Sequence, residues 1–440
     1  MNILYSLGLL LASPWLVWQT VRKGKYREGF AEKFLGRVPI RYSDRPCVWL
    51  HAVSVGEVNL LGTLIDELRR RRSDLEFVIS TTTITGRAVA KSRYAGHSVV
   101  YCPLDFSWAV NEALRRVRPD LLVLAEVELW PNLINAAKQH GAKVAVINGR
   151  MSDGSFHGYR RLRFFVARLL RNLDLIAVQS PTYADRFRAL GAKPKSVVVT
   201  GSLKFDGAET DRANPHTAQL KQLAGITDDG IVFLAGSTQE PEERYALNVF
   251  RKLSPSHPRL RLILVPRHPD RFEAVARLLE ESGIAWQRRS ELGQGEAPAN
   301  PGAPQDFGLA GASSSPRILL VDRMGELGAW WGTAAIAFVG GTFGQREGQN
   351  MIEPAAYGTA IAVGPRTKNF RDVVALLAEA EAITVVHHAN DLEHFVRRCL
   401  ENPAVTNAQG QRARTVVMNQ LGATQKTADL LEPLIAQHAA

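Results

Sequence analysis

Short apolar runs alternate with longer amphipathic stretches twice along this chain, and that rhythm limits the fold more than any other feature. The first series places strands at 47–53 (CVWLHAV), 76–82, 98–104, 120–125, 143–147, 173–179 and 196–200. The runs are apolar at nearly every position, as in strands covered on both faces. Helical stretches at 58–72, 85–94, 108–117, 131–140 and 181–190 separate them. Strand followed by helix, repeated, predicts a parallel sheet. The rhythm stops over the polar stretch 206–229, which contains Pro215. It resumes with strands at 231–234, 260–265, 318–321, 336–339, 360–363 and 383–386, and a long helix is expected over 409–439. The fold class expected is therefore α/β, with two doubly wound parallel-sheet, Rossmann-like domains facing a cleft. Their bounds are 26–210 and 211–440. A chain of 440 residues suits two such domains. Ligands of such sheets sit beyond the carboxyl ends of the strands.

The stretch 336–365 (IAFVGGTFGQREGQNMIEPAAYGTAIAVGP) reads as strand, glycine-rich loop, helix and strand. Gly340 and Gly341 would let backbone approach a ligand closely, and the helix start near Met351 offers free N–H groups. A phosphate suits that place. Asn350 and Glu353, about one turn apart, can face one ligand, the carboxylate suiting ribose hydroxyls. The plainer reading is an ordinary βαβ unit with a tight loop.

Residues 1–21 carry no charged side chain, and Arg22, Lys23, Lys25 and Arg27 follow. A secretory signal carries its charges on the other side of the apolar run. Residues 1–25 are expected to be a membrane anchor helix that either spans or lies in the interface; a cleaved signal and a buried helix are the alternatives. The charge order places the following domains on the cytoplasmic face. The formal net charge of +11 favours anionic partners. Nucleic acid is not expected, because no zinc-finger spacing, basic low-complexity tail or RNP-like motif is present. Cys47, Cys102 and Cys399 are too far apart for a disulfide framework or a metal cluster and fit a reducing compartment. The segment 291–316, rich in Gly, Pro, Ala and Ser, reads as a flexible surface loop.

Polar groups recur where strands end. Glu57 opens the first long helix, either as a cap residue or as a general base aimed into the cleft. Glu126 and Glu128 follow an apolar strand; they share a side if the chain stays extended, or they cap the helix at Pro131. Lys204 reads as a phosphate ligand or a solvated lysine. In the second series, Gly236, Ser237 and Thr238 offer donors, and Arg267 has the planar fork that suits phosphate. His268, between two residues of a Pro-rich turn, is structural or a secondary contact. Met324, Gly325 and Glu326 present backbone to a base or simply start a helix.

Seven motifs in order, HAVSVGE (51–57), EVELWPN (126–132), NGRMS (148–152), TGSLKFD (200–206), VPRHPDRF (265–272), MGEL (324–327) and GGTF…NMIEPAAYG (340–358), resemble those of the Kdo transferases. That family moves 3-deoxy-D-manno-octulosonic acid (Kdo) from CMP-Kdo to a lipid A precursor, lipid IVA. The resemblance covers nearly the whole chain. It implies a glycosyltransferase-B fold, with acceptor on the N-terminal domain and nucleotide on the C-terminal one. It implies Glu57 as proton acceptor, Glu126 and Lys204 as transition-state stabilisers, and CMP contacts at Pro266, Arg267, Met324, Gly325, Glu326, Asn350 and Glu353. Inversion at the anomeric carbon, an inner-membrane phospholipid surface as partner, and no metal or other cofactor complete the expectation. One departure is Gln349, where the family pattern has histidine. Glu126 is expected to orient Lys204 or an acceptor hydroxyl. The alternatives are a UDP-sugar enzyme on the same scaffold, such as a lipid A disaccharide synthase or an epimerase, and an inactive lipid-binding scaffold.

Overall fold

The computed structural model describes Arg22 and residues 28–293, 316–344 and 346–435. The expected anchor at 1–25 lies, Arg22 apart, outside the described residues, as does most of the 291–316 loop. Among the described residues, no helix is long and apolar enough to cross a membrane.

The chain forms two compact units, one of residues up to Gly207 with those from Gln420 onward, the other Ala208–Asn419. In the first unit the strands are β1 (Cys47–His51), β2 (Glu76–Thr81), β3 (Ser98–Tyr101), β4 (Leu121–Ala125), β5 (Lys143–Gly149), β6 (Leu175–Val178) and β7 (Val197–Val199). Its helices are α1 (Phe30–Leu35), α2 (Val55–Arg71), α3 (Ile84–Arg93), α4 (Ser107–Val117), α5 (Pro131–Gln139), α6 (Asp153–Arg161), α7 (Arg163–Leu170) and α8 (Pro181–Ala189). The sheet order is β3-β2-β1-β4-β5-β6-β7 with every pairing parallel. Successive residues of a strand enter opposite cores. Trp49, Leu122 and Val144 join one cluster, Val48, Leu50 and Val123 the other. Both faces are dry, which is why the strands carry no polar alternation.

The second unit contains α9 (Pro215–Leu223), β8 (Ile231–Thr238), α10 (Glu242–Leu253), β9 (Leu260–Pro266), α11 (Phe272–Glu281), β10 (Trp286–Arg288), β11 (Ile318–Leu320), α12 (Leu327–Trp331) and β12 (Ile336–Val339). It continues with α13 (Ile352–Ala356), β13 (Ala360–Val363), α14 (Arg371–Glu379), β14 (Ile383–Val385), α15 (Ala389–Glu401) and α16 (Pro403–Gln420). The sheet order is β10-β11-β9-β8-β12-β13-β14, again parallel throughout.

Several features differ from the expected organisation, among them the short edge strand β10, which the apolar runs do not announce. The chain does not end in the second unit: α17 (Ala423–Leu431) returns to the first. Ala423, Ala428, Leu431 and Ile435 complete a core face of the first sheet, and Asp206 accepts from the backbone N–H of Gly422 at 2.7 Å. The long C-terminal helix is broken at Gly422, whose φ of 93° is left-handed. The polar link also holds a helix, α9, and the residues 153–170 form α6 and α7, which the strand rhythm does not announce.

In the glycine-rich loop after β12 the N–H groups of Gly341, Thr342 and Phe343 are already taken. Glu242, buried at the start of α10, fills it: one carboxylate oxygen accepts from the N–H of Gly341 (2.7 Å) and Gln239 (2.9 Å), the other from Thr342 (2.9 Å) and Phe343 (3.0 Å). Burial pushes the Glu242 carboxyl up, and these four donors pull it down. Gly340 is required beside it, since a Cβ there would lie 2.6 Å from the Thr238 Cα and 2.7 Å from the Glu242 carboxylate. The loop is therefore anchored from within the protein. Glu242→Ala strands buried N–H groups and is expected to destabilise the second unit by about 3 kcal/mol. Urea unfolding followed by fluorescence measures this, and a transition shifted by less than about 0.5 kcal/mol would show that the loop holds without its carboxylate.

Candidate functional site

In both sheets the winding reverses beside the first strand, between β1 and β4 and between β8 and β12. There the following connections leave in opposite directions and the strand ends between them are uncovered. Glu57 and Glu126 follow the strands at the first of these places, and the loop leading to Asn350 follows β12 at the second; Arg267 and residues 324–326 follow β9 and β11, farther along the second sheet.

In the first unit, β1 ends at His51 and α2 begins after the cap Ser54. The Ser54 Oγ accepts from the Glu57 N–H at 3.3 Å and donates to Glu57 Oε1 at 2.7 Å; the Val53 N–H donates to Oε2 at 2.9 Å. Glu57 is thus held in a reciprocal cap. Its carboxylate oxygens each keep a further lone pair, so capping and accepting a proton are compatible. Burial pushes its pKa up, and the charge of Glu126 pushes in the same direction; the Ser54 and Val53 donors oppose.

Glu126 follows β4 with a φ of 56°. This left-handed turn ends the extended geometry, so the expectation that Glu126 and Glu128 share a side through a continued strand does not hold. Glu126 meets Lys204 Nζ at 3.4 Å and Arg150 at 3.8 Å. Of the two partners expected for Glu126, Lys204 or an acceptor hydroxyl, the structure contains the ion pair with Lys204. Glu128 instead accepts from Trp130 Nε1 at 2.9 Å, and burial, then the charge of Glu57, pushes its pKa up. Neither glutamate caps α5. That task falls to Asp105, whose carboxylate accepts from the N–H of Asn132 (3.0 Å) and Leu133 (2.8 Å).

Lys204 sits on a short loop after β7. Asn148, buried at the end of β5 with a φ of 51°, holds that loop: its Oδ1 accepts from Leu203 N–H at 3.2 Å and Ser202 Oγ at 3.3 Å. His51 lies beneath, fully buried, with Nδ1 2.9 Å from Ser80 Oγ and its ring edge-on to Trp130. Burial pushes its pKa down to about 4, so it is neutral near pH 7.

In the second unit, Pro266 ends β9 and Arg267 is exposed beyond it, its N–H donating to Thr238 O at 3.0 Å. Asn350 spends its side chain locally: Oδ1 accepts from Ile352 N–H at 3.0 Å, and Nδ2 donates to Glu353 Oε1 at 2.9 Å. Burial pushes the Glu353 pKa up, while Asn350 and the Arg267 charge pull it down. Arg267, Asn350 and Glu353 therefore form one electrostatic group. Met324 is 60% exposed and Gly325 has a φ of 89°. The Glu326 carboxylate is bound in a fork by Arg289, at 2.9 and 3.0 Å, and also accepts from Trp330 Nε1. What 324–326 can offer a ligand is backbone and the Met324 side chain. Gln349 lies over Gly341, where a Cβ would come 3.0 Å from its Cγ.

Arg150, Asn148, Asp105, Glu242 and Arg289 escaped assignment from the sequence. Asn148 carried a signal, since asparagine before glycine at a strand end tolerates positive φ. Glu242 reaches a loop about a hundred residues away and carried none. Among the described residues no group of three or more His, Cys, Asp or Glu could hold a metal ion.

A family model described as 3-Deoxy-D-manno-octulosonic-acid transferase (kdotransferase) matches residues 26–207. A 3-deoxy-D-manno-octulosonic acid transferase of Bordetella pertussis is 34% identical over 97% of this chain and 98% of its own. One from Haemophilus influenzae is 30% identical over 99% of each chain. Among solved structures, a glycosyltransferase of Rickettsia africae is similar with a TM-score of 0.55 over 89% of this chain and 99% of its own, at 12% identity. That likeness concerns the fold, two glycosyltransferase-B-like α/β domains. With near full-length identity at this level, the chain belongs to the 3-deoxy-D-manno-octulosonic acid transferase family.

Proposed function

We infer that this protein transfers Kdo from CMP-Kdo to the lipid A precursor lipid IVA, on the cytoplasmic face of the inner membrane. The observation that carries this reading is the relationship to Kdo transferases along essentially the whole chain. The arrangement of Glu57 supports it chemically. A sugar hydroxyl is a weak nucleophile near neutral pH, so its proton must leave as its oxygen attacks the anomeric carbon. Glu57, rigidly held and made more basic by burial, takes that proton. The bond from the anomeric carbon to the CMP phosphate breaks, its electron pair leaves with CMP, and the configuration inverts.

The remaining residues prepare for negative charge. Arg267 offers its fork to the phosphate of CMP, with Asn350 and Glu353 beside it for the nucleoside. Pro266 and the 324–326 backbone contribute shape and hydrogen bonds at the neighbouring strand ends. Lys204 supplies positive charge to the anionic sugar, and Glu126 fixes its direction. Preoriented charge of this kind needs no rearrangement during the reaction.

Incubation with CMP-Kdo, generated in place, and tetraacylated lipid A precursor is expected to add at least one Kdo mass to the lipid. No transfer together with thermal stabilisation by UDP rather than CMP would replace this reading with a UDP-sugar enzyme. Glu57→Gln is expected to lower kcat by ~10²- to 10⁴-fold with CMP binding retained; a near-normal kcat removes Glu57 as the base. Activity needs ionised Glu57, whose pKa is raised, so kcat/KM should fall on acidification at a pH above the ordinary glutamate range. Glu126→Gln removes one cause of that rise, and its acid limb should move to lower pH whatever the loss in rate. An unmoved limb would assign the titration to another group. Arg267→Ala is expected to weaken CMP binding roughly tenfold or more, read by calorimetry, and unchanged affinity rejects the phosphate contact.

A further inference from the structure

Arg271 lies four residues after Arg267, in the same motif VPRHPDRF. The chain between them makes a single tight turn, Pro269–Arg271, in which the Arg271 N–H donates to His268 O at 3.0 Å. This turn is fastened at both ends to one short segment, 238–243. At its start the Arg267 N–H donates to Thr238 O. At its end the Arg271 guanidinium donates to Glu243 Oε2 at 3.2 Å and to Glu240 Oε2 at 3.0 Å. Within the same segment Glu242 holds the N–H groups of Gly341, Thr342 and Phe343. The end of β8 and the start of α10 therefore set where the Arg267 turn stands beside the loop that leads to Asn350.

The segment is costly to build, and stability alone does not explain it. Ser237, just before it, is buried with a φ of 55°, a left-handed backbone that disfavours a side chain. The β8–β9 register shifts there, with Gly236 opposite Val265 and Thr238 opposite Pro266, so Ser237 has no counterpart on β9. The Glu243 side chain is 1% exposed. Among the described residues its Oε1, Arg271 Nε, Thr238 Oγ1 and Gln239 Nε2 are buried without a hydrogen-bond partner. An ion pair with a buried carboxylate stabilises a fold little more than well-packed apolar side chains would, and often less. Left-handed backbone and unpartnered buried polar groups persist where position matters more than stability.

We propose that Glu243 and Arg271, with Glu240, are positioning residues of the donor site: they hold the 267–271 turn so that the Arg267 guanidinium meets the CMP phosphate. None of the three touches the donor. A guanidinium fork binds phosphate oxygens in pairs only over a narrow range of directions. Fixing the backbone from which the Arg267 side chain springs removes freedom that binding would otherwise have to remove. The two carboxylates share the hold on Arg271 unequally. Glu243 is buried and sets the direction, whereas Glu240 is 70% exposed and adds a weaker, solvent-screened contact. This role rests on the reading of Arg267 as the phosphate ligand, and a double-mutant cycle separates the two.

The cycle uses the full chain, with CMP binding read by calorimetry. Glu243→Gln keeps the shape, removes the charge and leaves Arg271 its contact with Glu240, so the fold should hold. It is expected to weaken CMP binding about threefold to tenfold, and kcat/KM for CMP-Kdo should fall by a similar factor. In the Arg267→Ala chain the same substitution should change CMP affinity by less than about twofold, because the group it positions is gone. A purely structural defect behaves otherwise: it lowers the number of binding sites per chain and leaves the affinity of intact sites unchanged. That result overturns the proposal. So does a loss that adds in full to that of Arg267→Ala, or an affinity that Glu243→Gln does not move. If Glu243→Gln fails to fold, Glu240→Gln takes its place in the cycle, with a loss of about twofold expected and an unmoved affinity again overturning the role. Should Arg267→Ala itself leave CMP affinity unchanged, the phosphate contact falls and the positioning role falls with it; additive losses beside an impaired Arg267→Ala sink the positioning role alone.

Discussion

The ends of the two parallel sheets impose the constraint on which the structure turns. Every strand of such a sheet releases backbone N–H groups into a loop or helix start, and buried donors need acceptors. Where the winding reverses, at β1–β4 and β8–β12, no crossover covers the ends. The chain answers with carboxylates. Glu242 takes four backbone donors and closes the loop after β12. Asp105 takes the two at the start of α5. Glu57 takes one from Val53. These three look alike in sequence, an acid near a strand end, and differ in how much acceptor capacity they retain. Glu242 is consumed by its donors. Glu57 retains capacity and faces other charges, which suits it to chemistry.

Electrostatics then separates three neighbouring glutamates. Burial, and then the charge of Glu126, pushes Glu57 up; burial, and then the charge of Glu57, pushes Glu128 up; Glu126 itself is paired with Lys204 and Arg150. A carboxylate near an anionic sugar is repulsive when alone. With two cations at 3.4 and 3.8 Å, Glu126 belongs to a cluster carrying net positive formal charge. The Glu126–Lys204 pair is partly exposed, so its worth lies in direction more than in stability.

Most strands are readable because burial on both faces writes itself as unbroken apolar runs; the exception is β10 at the sheet edge, a half-buried Trp-Gln-Arg that carries no such run. Helices α6 and α7 were not readable by the same route, since Leu162, Phe164 and Phe165 break the rule that apolar residues of a helix face inward. The return of α17 was hidden for a different reason: Ala423, Ala428 and Leu431 show only that some core face needs them, not which sheet supplies it. At the site, residue types at strand ends pointed to Glu57, Glu126, Lys204 and Arg267. Their partners stayed hidden, because Asn148, Asp105 and Arg289 act across long stretches of chain. The part of Glu242 in the loop after β12 was hidden, since Gly340 and Gly341 describe a concave backbone but not its occupant. A side chain of the same protein can fill such a nest as well as a ligand can.

The exception in α6 and α7 carries its own logic. Helices α6 and α7 half-bury Phe156, Tyr159 and Leu169 against the core of the first unit. Three further large apolar side chains left in water add to hydration cost and gain nothing for the fold. On its inner side the same hairpin packs with Val127, Leu129 and Trp130, so it braces the loop that carries Glu126 and Glu128.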